Sequence, residues 1–387
     1  MTSIKTTEQL DTKEIVKNLL SRLSKKERDI ISRRFGLKKN KKETLETVGK
    51  LHNLTRERIR QIENATIKKI NQLKDLEESV GSLKDKTGQL LKEHGGLMEK
   101  EYLFHVLNTF SPVDNKSEEY MTEKNHYDFV LSRLLNDAFE ELKVSSQFKD
   151  AYKLKHETLD HLEELAGELV KQIKGLKRTV KTKDVIDLVI GSDVYAKHKE
   201  RFDVPSTIDI SSFLINDLFN EEHDLIHDNK VPYSILQALR DVEQNKFGFW
   251  GIHDWGEIKP KTINDKIYLV LKNEGKPMHF VEIAGKINEI SFDTKKANPA
   301  TVHNELILDE RYVLVGRGIY GLKEWGYKEG IVSDVVREIL KESGPLTKEE
   351  IVEKVLENRL VKKTTVNLAL MNKEMFEKTG DKYQVKK

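Results

Sequence analysis

Residues 44–65 read Thr-Leu-Glu-Thr-Val-Gly-Lys-Leu-His-Asn-Leu-Thr-Arg-Glu-Arg-Ile-Arg-Gln-Ile-Glu-Asn-Ala. The spacing predicts two helices around a tight turn. A short first helix presents Leu45, Val48 and Leu51 inward, and Asn53-Leu54 makes the turn. Thr55 is placed to N-cap the second helix, because its hydroxyl oxygen can accept from a free backbone N–H there. In that second helix Ile59, Ile62, Thr66 and Ile70 recur every three to four residues and face a core. Arg56, Glu57, Arg60, Gln61 and Asn64 occupy the opposite side. These side chains match the edges of base pairs in a major groove: arginine suits guanine, glutamine suits adenine, and a carboxylate can accept from cytosine. A merely solvated face does not need this order of residues.

The surrounding sequence completes a small helical domain over residues 13–75. Ile15, Val16, Leu19, Leu20 and Leu23 form one apolar stripe, so residues 13–23 read as an amphipathic helix. Ser24 with Glu27 is a capping-box start for the next helix. Ile30, Ile31 and Phe35 supply its inner face, and Gly36 suits a left-handed C-cap. Lys38, Lys39, Lys41 and Lys42 follow as a basic loop, placed beside the polar helix face where they can reach phosphates.

The segments Arg34-Phe35-Gly36-Leu37, Thr44-Leu45-Glu46 with Val48-Gly49, and Thr55 to Glu63 make residues 13–74 resemble region 4 of bacterial sigma-70 factors. The resemblance implies a helix-turn-helix that binds the −35 element of double-stranded promoter DNA and docks on the beta flap of RNA polymerase. It implies Arg56, Glu57, Arg60 and Gln61 as base readers, with Arg58 and Thr55 nearer the phosphates. The aromatic-rich helical segment with which that family captures the melted −10 strand is not legible, and the reading head comes first in the chain. The protein therefore reads as one that borrows the region 4 domain.

Charge separates the head from the rest. Residues 13–74 hold 19 Lys+Arg against 7 Asp+Glu, a net of +12; the other residues hold 48 against 58, a net of −10. One part attracts phosphate and the remainder on average repels it. This disfavours a chain that wraps nucleic acid along its whole length. It favours a DNA-reading head joined to modules that bind protein, or bind DNA through local patches.

Beyond Lys74 one plan recurs: helix, short strand, two helices, β-hairpin. Residues 262–327 show it best, with helices at 264–273, 281–287 and 299–308, an extended Met278-His279-Phe280, and strands at 312–315 and 319–322 joined by Gly316-Arg317-Gly318. Asn298-Pro299-Ala300-Thr301-Val302, Gly316 to Leu322, and Trp325 make this module resemble the HARE-HTH domain, a winged helix found also in the delta subunit of RNA polymerase. Gly248 to Gly256 repeats the pattern of Gly318 to Gly326 at a separation of 70 residues, as two wings with one closing strand would. All three tryptophans lie in these segments, where a strand-end Trp is expected to plug a core. Residues 76–156, 157–258 (with an insertion near Phe202 to Thr207) and 328–387 are read as further winged-helix-like modules, and residues 1–12 as a flexible tail. The expected fold class is mainly α, a multi-domain array of one helix-turn-helix domain and several winged-helix modules.

Chemistry is sparse. With no cysteine, disulfides, thiolate metal sites and thiol catalysis are excluded. No phosphate loop with a following Lys-Ser/Thr, no His-Glu-x-x-His and no nucleophile elbow occurs. His223 and His227, flanked by Asp224 and Asp228, have helical metal-ligand spacing without a third ligand, so no metal site is expected. The expectation is a non-enzyme with no cofactor and no small-molecule substrate, cytoplasmic and nucleoid-associated, with no membrane segment. It is a transcription regulator or, as the alternative, a delta-like accessory factor of RNA polymerase acting through protein contacts.

Overall fold

The computed structural model describes residues 10–114, 117–210 and 223–386. It is mostly helical with small antiparallel sheets. The chain divides into two compact units: Met1–Gln244 with Gly248–His253, and Asn245–Phe247 with Asp254–Lys387.

The first unit opens with α1 (Thr12–Ser21), α2 (Lys25–Phe35), α3 (Leu45–His52) and α4 (Arg56–Asn71). Local chemistry sets each boundary. Asp11 caps α1, Ser24 and Glu27 form the capping box of α2, and Gly36 closes α2 at φ 67°. Thr44 caps α3, which ends on left-handed Asn53. The expected flexible tail, residues 1–12, does not hold at its end: Leu10 is 2% exposed and its N–H donates to the Phe110 carbonyl at 2.7 Å, while residues 1–9 lie outside the described residues. Burying that leucine orders the chain from residue 10 on.

Next come α5 (Leu76–Glu93), β1 (Leu97–Glu99), α6 (Lys100–Asn108), α7 (Glu118–Phe129), β2 (Phe139–Leu142) and β3 (Ala151–Leu154), with β3 in the middle of the sheet β1-β3-β2. Then follow α8 (Asp160–Leu176), α9 (Thr182–Ile190), α10 (Asp193–Lys197), α11 (Lys199–Phe202), α12 (His223–Asp228), α13 (Lys230–Ala238) and the two-stranded hairpin of β4 (Val242–Gln244) and β5 (Trp250–Ile252). At the expected insertion, Phe202 ends α11 and residues 203–207 run without helix or strand; residues 211–222 lie outside the described residues.

These segments do not hang as separate beads. Helix α13 packs on β1, and Lys149 donates its backbone N–H to the Ala238 carbonyl. A buried ion pair, Lys230 to Glu93 at 2.8 Å, ties α13 to the end of α5. Glu93 also accepts from the backbone N–H groups of Thr207 and Ile208, so the chain after α11 is bonded to the same point.

The second unit runs the helix–strand–helix–helix–hairpin order twice. First come α14 (Ile263–Glu274), β6 (Met278–His279), α15 (Phe280–Ile290), α16 (Pro299–Leu308), β7 (Tyr312–Gly316) and β8 (Ile319–Leu322); then α17 (Val332–Ser343), β9 (Leu346–Thr347), α18 (Lys348–Asn358), α19 (Lys363–Leu370), β10 (Phe376–Thr379) and β11 (Lys382–Val385). In both, as in β1-β3-β2, the short first strand pairs with the last: β6-β8-β7 and β10-β11-β9. Of the tryptophans only Trp250 is fully buried, while the strand-end residues Trp255 and Trp325 are half-buried. The core-plug expectation therefore fails for the strand-end pair: both lie past the last paired residue, where the sheet no longer covers them.

Candidate nucleic-acid interface

The polar face of α4 is built from the inside out. Ile30, Val48 and Ile59 are fully buried together, with Leu45, Leu54 and Ile62 packed around them. Gly49 lets the two helices close: a Cβ there would lie 2.7 Å from the Leu54 carbonyl oxygen, inside contact distance. Leu51 is a correction. It is 57% exposed, because the inward stripe of α3 runs Leu45, Val48, Gly49 and His52, and Leu51 falls about 100° off it. His52 takes the inner place and bonds Asp29 at 3.0 Å.

Sequence reading missed one structural pair. Glu63 is buried on the inner face of α4, where Arg34 of α2 donates its Nε–H to it at 2.6 Å and also bonds the Glu43 carbonyl. The signal was present: Glu63 follows Ile59 by four residues and precedes Thr66 by three, so it lies on the apolar stripe.

With the inner face so anchored, Arg56, Glu57, Arg58, Arg60, Gln61 and Asn64 are all exposed on the outer side of α4. Thr55 accepts from the Arg58 N–H at 3.1 Å, as its cap role requires. These side chains pair among themselves. Arg60 donates twice to Glu57, at 2.7 and 2.9 Å, and Arg58 donates to Gln61 at 3.1 Å. The Arg60 guanidinium holds the Glu57 carboxyl below its usual range. Being solvent-exposed, these pairs are weak and open readily for a better partner.

The basic loop divides. Lys38, Lys39 and Lys41 are exposed and make no ion pair among the described residues. Lys42 is different: it pairs with Asp128 of α7 at 2.5 Å, a half-exposed ion pair that has to open for Lys42 to reach a phosphate. Asp128 is held below its usual range although burial opposes ionisation, because Lys100 and Lys42 both bond it. The same helix grips the loop backbone. Asn125 donates to the Gly36 and Asn40 carbonyls at 3.2 and 3.1 Å, and His126 meets the Leu37 carbonyl at 3.1 Å.

For the histidine pair, the His223 side chain lies outside the described residues, and His227 stands 3.8 Å from Asp209. No group of three or more potential metal ligands occurs among the described residues. Nor is any described helix long and apolar enough to cross a membrane.

Comparison with known proteins bears on this same segment. Residues 19–72 match the family described as Sigma-70, region 4. The RNA polymerase sigma factor SigA1 of Synechococcus elongatus is 47% identical over 58 residues, 15% of this chain and 14% of that protein. Sigma factor RpoS of Coxiella burnetii is 35% identical over 74 residues, 19% of this chain and 21% of its own length. Sigma factor RpoD of Helicobacter pylori is 44% identical over 61 residues, 16% of this chain and 9% of its own length. The chain thus spans about a seventh of the first of these relatives. No solved structure matches.

Proposed function

We propose that this protein is a DNA-binding transcription regulator whose head reads a −35-like promoter element with α4 and contacts RNA polymerase. One observation carries the reading: Arg56, Glu57, Arg60 and Gln61 stand exposed in a row on a capped, core-anchored helix, within a segment similar to sigma factors. Arg58, Thr55, Lys38, Lys39, Lys41 and Lys42 supply the phosphate contacts in this reading. The three helix–strand–helix–helix–hairpin segments are taken as winged-helix modules, the one at 262–327 as HARE-HTH-like; their shared strand order supports this. The chain acts without catalysis or cofactor, in the cytoplasm and on the nucleoid.

A gel-shift titration of the full chain against a −35-containing duplex tests the proposal. Arg56→Ala with Arg60→Ala is expected to weaken binding by about 2–6 kcal/mol, from about 1–3 for each bidentate base contact. Equal binding by wild type and variant would count against it. A second reading draws on the net charge of −10 outside residues 13–74. There the protein is a delta-like accessory factor, its head on the beta flap and its acidic modules tuning the polymerase's hold on DNA. Loss of pull-down by polymerase lacking the flap tip, with DNA binding absent, would favour that reading.

A further inference from the structure

Residues 171–183 read Lys-Gln-Ile-Lys-Gly-Leu-Lys-Arg-Thr-Val-Lys-Thr-Lys: six cations and no carboxylate in thirteen residues. They form the last turns of α8, a five-residue link, and the start of α9. All six cationic side chains are exposed. Lys174 reaches Asp241 at 3.7 Å; Lys171, Lys177, Arg178, Lys181 and Lys183 make no ion pair among the described residues. Elsewhere in the first unit cations are widely paired, so this strip stands apart from an otherwise acidic body.

Local folding does not ask for this charge. Lysines at the end of α8 suit its dipole, but Lys181 and Lys183 sit at the start of α9, where positive charge is unfavourable. Lys177 ends α8 at φ 52°, a left-handed position where glycine is the cheaper residue. The backbone beneath is fixed. Val180 exchanges two hydrogen bonds with Trp250, at 2.7 and 3.0 Å, and the indole N–H of Trp250 donates to Thr182 Oγ1 at 3.1 Å. Ile173 and Val180 point into the core, fully buried or nearly so. The strip therefore carries five cations without an ion pair among the described residues, on a fixed backbone, with no exposed large apolar anchor.

We propose that residues 171–183 bind the phosphate backbone of duplex DNA, as a sequence-independent contact separate from the reading face of α4. A regularly charged polyanion needs only spaced cations and gains by releasing counterions. A protein partner is a poorer fit, because interface cores favour aromatic residues, Met and Arg and are depleted in Lys. An anionic membrane lacks here the apolar side chains that surface-lying helices insert.

The test is the salt dependence of full-chain binding to a short duplex of scrambled sequence. The variant carries Lys177→Gln, Arg178→Gln, Lys181→Gln and Lys183→Gln; a charge-matched control carries Lys276→Gln, Lys295→Gln, Lys296→Gln and Lys341→Gln. The salt slope of the strip variant should be shallower than wild type by roughly 3–4, at about 0.9 per lost phosphate contact. The control should keep the wild-type slope, and an all-arginine set at the strip positions Lys177, Lys181 and Lys183 should restore it, which separates charge from misfolding. An unchanged slope in the strip variant, equal losses in strip variant and control, or binding to phosphatidylserine vesicles without binding to the duplex would overturn the proposal. Because the probe lacks a −35 element, a failure of the head's reading, seen with the promoter duplex, is a separate result.

Discussion

Single side chains here are placed by what surrounds them more than by their own type. His94 is completely buried beside β1. Its Nδ1–H donates to the Leu90 carbonyl at 2.7 Å, and its Nε2 accepts from the Tyr102 hydroxyl at 3.3 Å. Burial, with the Lys230 ammonium nearby, pushes its pKa down to about 4. Above pH 6.5 it is neutral folded and unfolded, so it costs nothing. Between 6.5 and 4 the unfolded chain takes the proton and the folded chain does not. Stability should then fall by about 1.4 kcal/mol per pH unit, roughly 3 kcal/mol in all. Urea unfolding at pH 7, 6 and 5 should show this decline in wild type and a weaker one in His94→Gln; equal declines would contradict it. The caps at Ser24, Gly36 and Thr55 were legible in sequence because each depends on a single residue and its immediate backbone. Lys42 was not, since its partner Asp128 lies 86 residues away.

At the scale of elements, the decisive joint is between α2 and α4. Arg34 and Glu63 are mostly covered, and their 2.6 Å contact fixes where the reading helix lies on the domain. Removing one partner strands the other's charge. Arg34→Met should cost about 3 kcal/mol, whereas Arg34→Met with Glu63→Leu should recover most of that. A double-mutant cycle followed by thermal unfolding reads this directly, and additive losses would show that the pair is not coupled. Helix boundaries from periodicity lay close: 299–308 was expected and Pro299–Leu308 is found. The error at Leu51 shows the limit, because on an eight-residue helix one misplaced position shifts the stripe. Strand order was beyond reach, since pairing β1 with β3 depends on contacts over 50 residues apart.

For the whole molecule, charge distribution links both proposed DNA contacts. A head of net +12 and the strip at 171–183 are cationic places on a chain whose remainder is acidic. The division of labour was readable from composition for the head. For the strip it was not, because a run of lysines in sequence is ordinary until the fold shows that five of its six cations make no ion pair among the described residues. The packing of α5–β3 and α8–β5 against each other also escaped sequence reading: Glu93 and Lys230 are 137 residues apart, and neither alone announces a partner.

The central claim is that α4 reads base pairs. Its most direct test is equilibrium binding of the full chain to a promoter duplex in which each base pair is substituted in turn, repeated with Arg60→Ala. The account predicts losses of about 1–3 kcal/mol at a few adjacent base pairs, with discrimination at one of them abolished by Arg60→Ala. A flat profile, or one that Arg60→Ala leaves unchanged, would contradict it.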